Sequence, residues 1–150
     1  MKTGKIYHTI AYKTKWATDL CIGLLLLYCY YQALQKCLTY DHYRFWLSNA
    51  PVIKPYSKYL SVIIPVLLVC VAGLLLWRKS RNMALMTIIL MQIIFIAWVA
   101  YVIYGTPFIF WPYHSIIGTY NWVYKFFECL IVAWLAYTCY WQQTKAIIPE

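Results

Sequence analysis

Residues 59–104 read YLSVIIPVLLVCVAGLLLWRKSRNMALMTIILMQIIFIAWVAYVIY: two apolar runs, parted by the basic turn Arg78-Lys79-Ser80-Arg81-Asn82. A helix rising 1.5 Å per residue needs roughly 20 apolar residues to cross about 30 Å of hydrocarbon, and each run is of that order. Strands of a membrane barrel leave shorter segments of alternating polarity, which these runs are not. The stretch therefore predicts two membrane-crossing helices joined by a tight turn, with Pro65 removing one hydrogen bond from the first of them.

Outward from this pair, a further apolar run precedes it from Trp16 to Leu34 and another follows from Asn121 to Trp141. We expect an all-α membrane protein, a four-transmembrane-helix bundle with helices at about 16–34, 59–77, 83–104 and 121–141. Residues 1–150 then form a single transmembrane domain. Composition agrees: of the 150 residues 64% are hydrophobic, 20% aromatic and only 11% charged, and the mean hydropathy is +0.61. Such a chain lies outside the range of soluble domains.

The formal charge of +9 comes from 13 Lys and Arg against 4 acids. These cations flank apolar segments instead of forming a basic face, so they read as topology signals and headgroup contacts, and no nucleic-acid partner is expected. Placing the N-terminus in the cytoplasm puts Lys2, Lys5, Lys13, Lys15, Arg78, Lys79, Arg81 and Lys145 inside. Four of the remaining cations, Lys36, Arg44, Lys54 and Lys58, fall in a long first outer loop, where the rule is weaker. The expected topology is N-in and C-in. The first helix, with basic residues before it and no A-x-A pattern after it, reads as an uncleaved signal anchor.

Two segments then face outward, 35–58 and 105–120, both rich in aromatics and proline. Asp41 to Leu47 has the makings of a short amphipathic helix on the membrane surface. Large aromatics on these loops, Tyr43, Phe45, Trp46, Phe108, Phe110, Trp111 and Tyr113, are candidate contacts for a protein partner.

Chemistry-bearing motifs are sparse. Cys21, Cys29, Cys37, Cys70, Cys129 and Cys139 form no C-x-C or C-x-x-C pair, and cysteine inside helices ordinarily packs. If two thiols do act together, Cys37 and Cys129 are the expected pair, both towards the outer side. His8, His42 and His114 are scattered, and no metal-ligating spacing, catalytic triad or cofactor-binding pattern is present, so no cofactor is expected. Among polar residues inside the spans, Asp19 sits beside the positive end of its helix. Gln92 lies mid-helix. Glu128 stands out as an intramembrane acid, with Lys125 one turn before it and Lys36 at the outer end of the first helix as partners for a structural lock. A proton relay is the alternative for Glu128.

Lys36, Tyr43-Arg44-Phe45, Leu47-Ser48-Asn49-Ala50-Pro51, Ile64-Pro65 and Gly73-Leu74-Leu75-Leu76 together resemble the pattern of the DoxX-like and MauE-like (methylamine-utilisation) family of small four-helix membrane proteins, in its Bacteroidetes-type form. The resemblance implies a four-helix scaffold in a bacterial inner membrane. It also implies thiol or quinone redox chemistry, yet Thr39 and Leu67-Leu68-Val69 stand where relatives place acids. The loop Phe110-Trp111-Pro112-Tyr113-His114-Ser115 lacks their cysteine cluster. The expected function is a non-catalytic inner-membrane subunit that packs against and stabilises a larger cell-envelope complex. The alternative is a membrane-bound thiol- or quinone-linked redox accessory protein. A small transporter would need a polar path that Gln92 and Glu128 alone do not supply.

Overall fold

At the basic turn the chain reverses within four residues. The Trp77 N–H bonds the Leu74 carbonyl at 3.3 Å, and the Ser80 N–H bonds the Trp77 carbonyl at 3.0 Å. The Ser80 hydroxyl donates to the Leu74 carbonyl at 2.9 Å and Arg81 Nε to the Leu75 carbonyl at 3.1 Å. Two of the carbonyls left open at a helix C-terminus are thus satisfied by the turn's own side chains. This corner joins α3 (Ser57–Leu76) to α4 (Arg81–Gly105).

A computed structural model of the chain describes residues 3–50, 52–105, 113–115, 118–120 and 122–147, with side chains described over most of 16–144. Before the corner come α1 (Thr3–Leu38), α2 (Tyr40–Asn49) and a 3-10 turn at Lys54–Tyr56. After it come a two-stranded antiparallel hairpin, β1 (Tyr113–Ser115) with β2 (Gly118–Tyr120), and α5 (Trp122–Ile147). Tyr113 pairs with Tyr120 and Ser115 with Gly118. The expected helical architecture is present: among the described residues, Trp16–Leu38, Lys54–Leu76, Arg81–Tyr101 and Trp122–Thr144 are long and apolar enough to cross a membrane. α1 starts well before the apolar run, so its first turns extend past the span. The hairpin is a feature that periodicity did not announce, because its strands are only three residues long.

The helices pack in a ring, α1 on α3, α3 on α4, α4 on α5, and α5 back on α1. The shared core is Leu25, Cys29, Val71, Leu75, Leu85, Ile88 and Val132, with Ala72, Ala84 and Ala136 between them. Small residues at these positions let helix backbones approach, the main source of association once the surroundings are lipid. The outward faces carry Leu24, Leu27, Val62, Val66, Val69, Ile93, Ile94 and Ile131, all exposed. Apolar on the outside and tightly packed inside, the bundle suits contact with acyl chains.

The amphipathic segment is α2, and it docks on the bundle. Leu47 and Ala50 are buried, and the Tyr40 hydroxyl shares a hydrogen bond of 3.3 Å with the buried Ser61 hydroxyl on α3. Ser61 lies four residues before Pro65, so it occupies the turn whose carbonyl loses its helical donor. Two ends can now be distinguished: the turn end, at 77–80, and the loop end, where α1 finishes, α2 lies and α5 begins.

Candidate functional site

Tyr28, Gln32 and Lys36 recur every four residues on α1, one above the other on a single helix face. That face meets α5 near its start. Lys125 Nζ bonds Glu128 Oε1 at 2.7 Å, a pair one turn apart on α5. Gln32 Nε2 donates to the same Glu128 oxygen at 3.0 Å and so ties α1 to α5. Lys36 Nζ in turn donates to Gln32 Oε1 at 3.1 Å, and its ammonium stands 5.7 Å from the centre of the Tyr43 ring on α2. Deeper in the bundle, Gln92 Nε2 on α4 reaches the Tyr28 hydroxyl at 3.5 Å.

The result is a polar seam running from the end of α1 to the middle of α4, with Lys125 and Gln32 buried and Glu128 still 38% exposed. Buried polar groups in a bilayer are costly unless they bond one another, and here each donor finds an oxygen. Chemically, the seam is a set of hydrogen bonds between helices. It joins α1, α4 and α5 through side chains that could not otherwise face hydrocarbon.

Lys36, Lys125 and Glu128 thus converge. Glu128 binds Lys125 directly and Lys36 through Gln32. Gln32 itself was not anticipated, although its spacing of four from both Tyr28 and Lys36 was the available signal. Cys37 is exposed, Cys129 is buried, and all six cysteines are free thiols. Cys139 on α5 belongs to the packed core, and Cys21 on α1 packs against that core. No spacing rule could pair residues so far apart in the chain. Among the described residues no group of three His, Cys, Asp or Glu is arranged to hold a metal ion.

The aromatics of the loop end divide. Trp46 on α2 stacks on Trp122 at 5.3 Å between centroids and meets Trp98 edge-on at 5.1 Å, while Trp98 meets Trp122 at 5.7 Å. Such offset and edge-on pairs are favourable beyond their burial. Trp46 and Tyr43 therefore contribute to the bundle's own closure, whereas Phe45 is exposed. Phe108, Phe110 and Trp111 lie outside the described residues. Tyr113 is placed by the backbone pairing of β1 only.

At the turn end, Arg81 Nη1 and Asp19 Oδ1 form an ion pair of 3.3 Å joining α4 to α1. The Thr18 hydroxyl bonds the Gln142 side chain, joining α1 to α5.

The model of the family described as Methylamine utilisation protein MauE matches residues 14–110, which include α2, the α3–α4 corner and the Lys36 end of the seam. The chain belongs to this membrane-protein family. No curated protein and no solved structure matches it.

Proposed function

From membership of the MauE family and four membrane-crossing helices, we propose that the protein is a non-catalytic integral subunit of the bacterial inner membrane. In this reading it packs against and stabilises a larger cell-envelope complex, on a scaffold of the DoxX-like, Bacteroidetes type without the relatives' loop cysteines. The observation that carries the reading is the Gln32 to Glu128 hydrogen bond of 3.0 Å between α1 and α5. It supports a structural use for the intramembrane acid, engaged with partners from its own chain. Both termini are cytoplasmic in this proposal, so the loop end and its exposed Phe45 face outward towards the partner. Mild-detergent extraction should recover the protein together with larger membrane proteins identifiable by mass spectrometry. Recovery only as an isolated monomer across several detergents would sink the proposal. In a background lacking native cysteines, an impermeant thiol reagent added from outside should label Asn49→Cys and Ser115→Cys and spare Ser80→Cys; the opposite pattern reverses the topology.

The Cys21 and Cys139 thiols, which pack in one core between α1 and α5, favour a second reading, a thiol- or quinone-linked redox accessory protein. Replacing all six cysteines by Ser or Ala separates the two. Full function in that variant excludes thiol chemistry, and loss of function with an intact bundle favours it over the subunit reading.

A further inference from the structure

The seam carries more positive charge than its own carboxylate balances. Lys125 is paired with Glu128. Lys36, on the facing helix, makes its contacts with the Gln32 side-chain oxygen, the Gln32 carbonyl at 3.5 Å and the Tyr43 ring. Among the described residues no carboxylate pairs with Lys36. The two ammonium groups stand on either side of one hydrogen-bonded pair, Lys36 Nζ on Gln32 Oε1 and Lys125 Nζ on Glu128 Oε1, with Gln32 Nε2 on Glu128 between them. In a medium of low dielectric the repulsion between their like charges is poorly screened. The helix ends do not add to it, because Lys125 lies in the first turn of α5, at its positive end, and Lys36 in the last turn of α1, at its negative end. An anion placed between them would balance the excess charge and relieve the repulsion.

Position identifies the anion. Lys36 lies two residues before the end of α1 and Lys125 three residues into α5, so both lie about 3–5 Å along the helix from its end. Spans of 23 residues are about 34 Å long, so both lysines lie near the edge of a hydrocarbon core of about 30 Å, from which a lysine side chain reaches the headgroup phosphates by extending outward. Trp46, Trp98 and Trp122 cluster at the same end, as aromatic residues do at the headgroup level. The seam is also open: Glu128, about 9 Å into α5, keeps 38% of its side chain exposed. Lys125 behind it is only 5% exposed and Lys36 is half-buried, so a lipid approaching from the side meets Lys36 first. A lysine ammonium binds a phosphate oxygen as a point charge without requiring a planar, two-pronged fit.

We propose that Lys36 and Lys125, facing each other across the α1–α5 seam, form a binding site for the phosphate of an anionic phospholipid in the leaflet at the loop end. Gln32 sets the position of the Lys36 ammonium, and Glu128 holds Lys125. The site needs no protein partner, so it stands or falls separately from the subunit reading.

The test is native mass spectrometry of the purified full chain in detergent, titrated with phosphatidylglycerol, phosphatidylcholine or inorganic phosphate. One tightly retained phosphatidylglycerol is expected, with retention about fivefold weaker in Lys36→Gln, since one lysine near a charged headgroup contributes about 1 kcal/mol. Lys36→Arg should restore retention, and circular dichroism should show the same helix content in all three proteins. Equal phosphatidylglycerol retention by the wild type and Lys36→Gln would overturn the site, as would equal retention of phosphatidylcholine. Protection against thermal unfolding by inorganic phosphate, dependent on Lys36 and without phosphatidylglycerol retention, would keep the phosphate site and overturn its lipid source.

Discussion

Each end of the bundle holds an ion pair, and the two pairs are built in opposite ways. At the loop end, Lys125 and Glu128 are three residues apart in the chain and 2.7 Å apart in space, and the lysine is 5% exposed. At the turn end, Asp19 and Arg81 are 62 residues apart in the chain and 3.3 Å apart in space, with the aspartate 52% exposed. A nearby pair buried against a second helix becomes a structural element only because Gln32 connects it to α1. A distant pair joins two helices by itself, but water and salt compete for it. We expect burial, more than sequence distance, to decide which of the two holds the bundle.

That contrast predicts the largest effect at Glu128. Glu128→Gln leaves Lys125 without its counter-ion, and the stability of the purified bundle should fall by about 1–3 kcal/mol. Thermal unfolding in a fixed detergent measures this. Protein that does assemble should keep its partners and its activity. Normal assembly with a dead phenotype would instead show that Glu128 relays protons. Because breaking a buried pair costs more than removing it, the double variant Lys125→Met, Glu128→Leu should recover a large part of the loss. If it proves no better than Glu128→Gln, the pair contributes more than the avoidance of an unpaired charge.

Gln32→Leu tests the connection instead of the pair. It removes the α1–α5 hydrogen bond and the side-chain acceptor of Lys36 while leaving Lys125 and Glu128 in contact. A loss of about 1 kcal/mol is expected, within the range for one or two partly buried hydrogen bonds. No loss would mean that the helices are held at this end by apolar packing and the Trp46, Trp98, Trp122 cluster alone.

Apolar runs and a basic turn were enough to read the four helices, because in hydrocarbon the backbone must satisfy itself and only length and polarity are free to vary. The seam was half readable. Glu128, Lys125 and Lys36 stood out as costly residues in an apolar setting, and Lys125 to Glu128 followed from helical spacing. Gln32 was passed over because an uncharged amide does not stand out in a span, even though its register with Tyr28 and Lys36 places all three on one face. Contacts between helices far apart in the chain were not readable at all. Asp19 reads as an acid at the start of a helix beginning near Trp16, but α1 begins at Thr3, so Asp19 lies well inside the helix and its partner is Arg81, in a turn that reads only as a topology signal. Cys21 and Cys139 share no spacing that would bring them together.

The smallest effect belongs to the turn end, and it separates two functions of one side chain. Asp19→Asn removes a half-exposed ion pair and should change stability by no more than about 0.5 kcal/mol, less still at high salt. Arg81→Gln removes that pair together with the 3.1 Å bond from Arg81 Nε to the Leu75 carbonyl, which closes the C-terminus of α3. That carbonyl is one of the orphans of a helix end, so losing its donor should add about 0.5–1.5 kcal/mol that salt does not screen. Thermal unfolding of both variants at low and high ionic strength gives the two parts by difference. Equal, salt-dependent losses would mean that Arg81 acts through Asp19 alone. A larger and salt-independent loss in Arg81→Gln would place its main contribution in terminating α3, with the ion pair secondary.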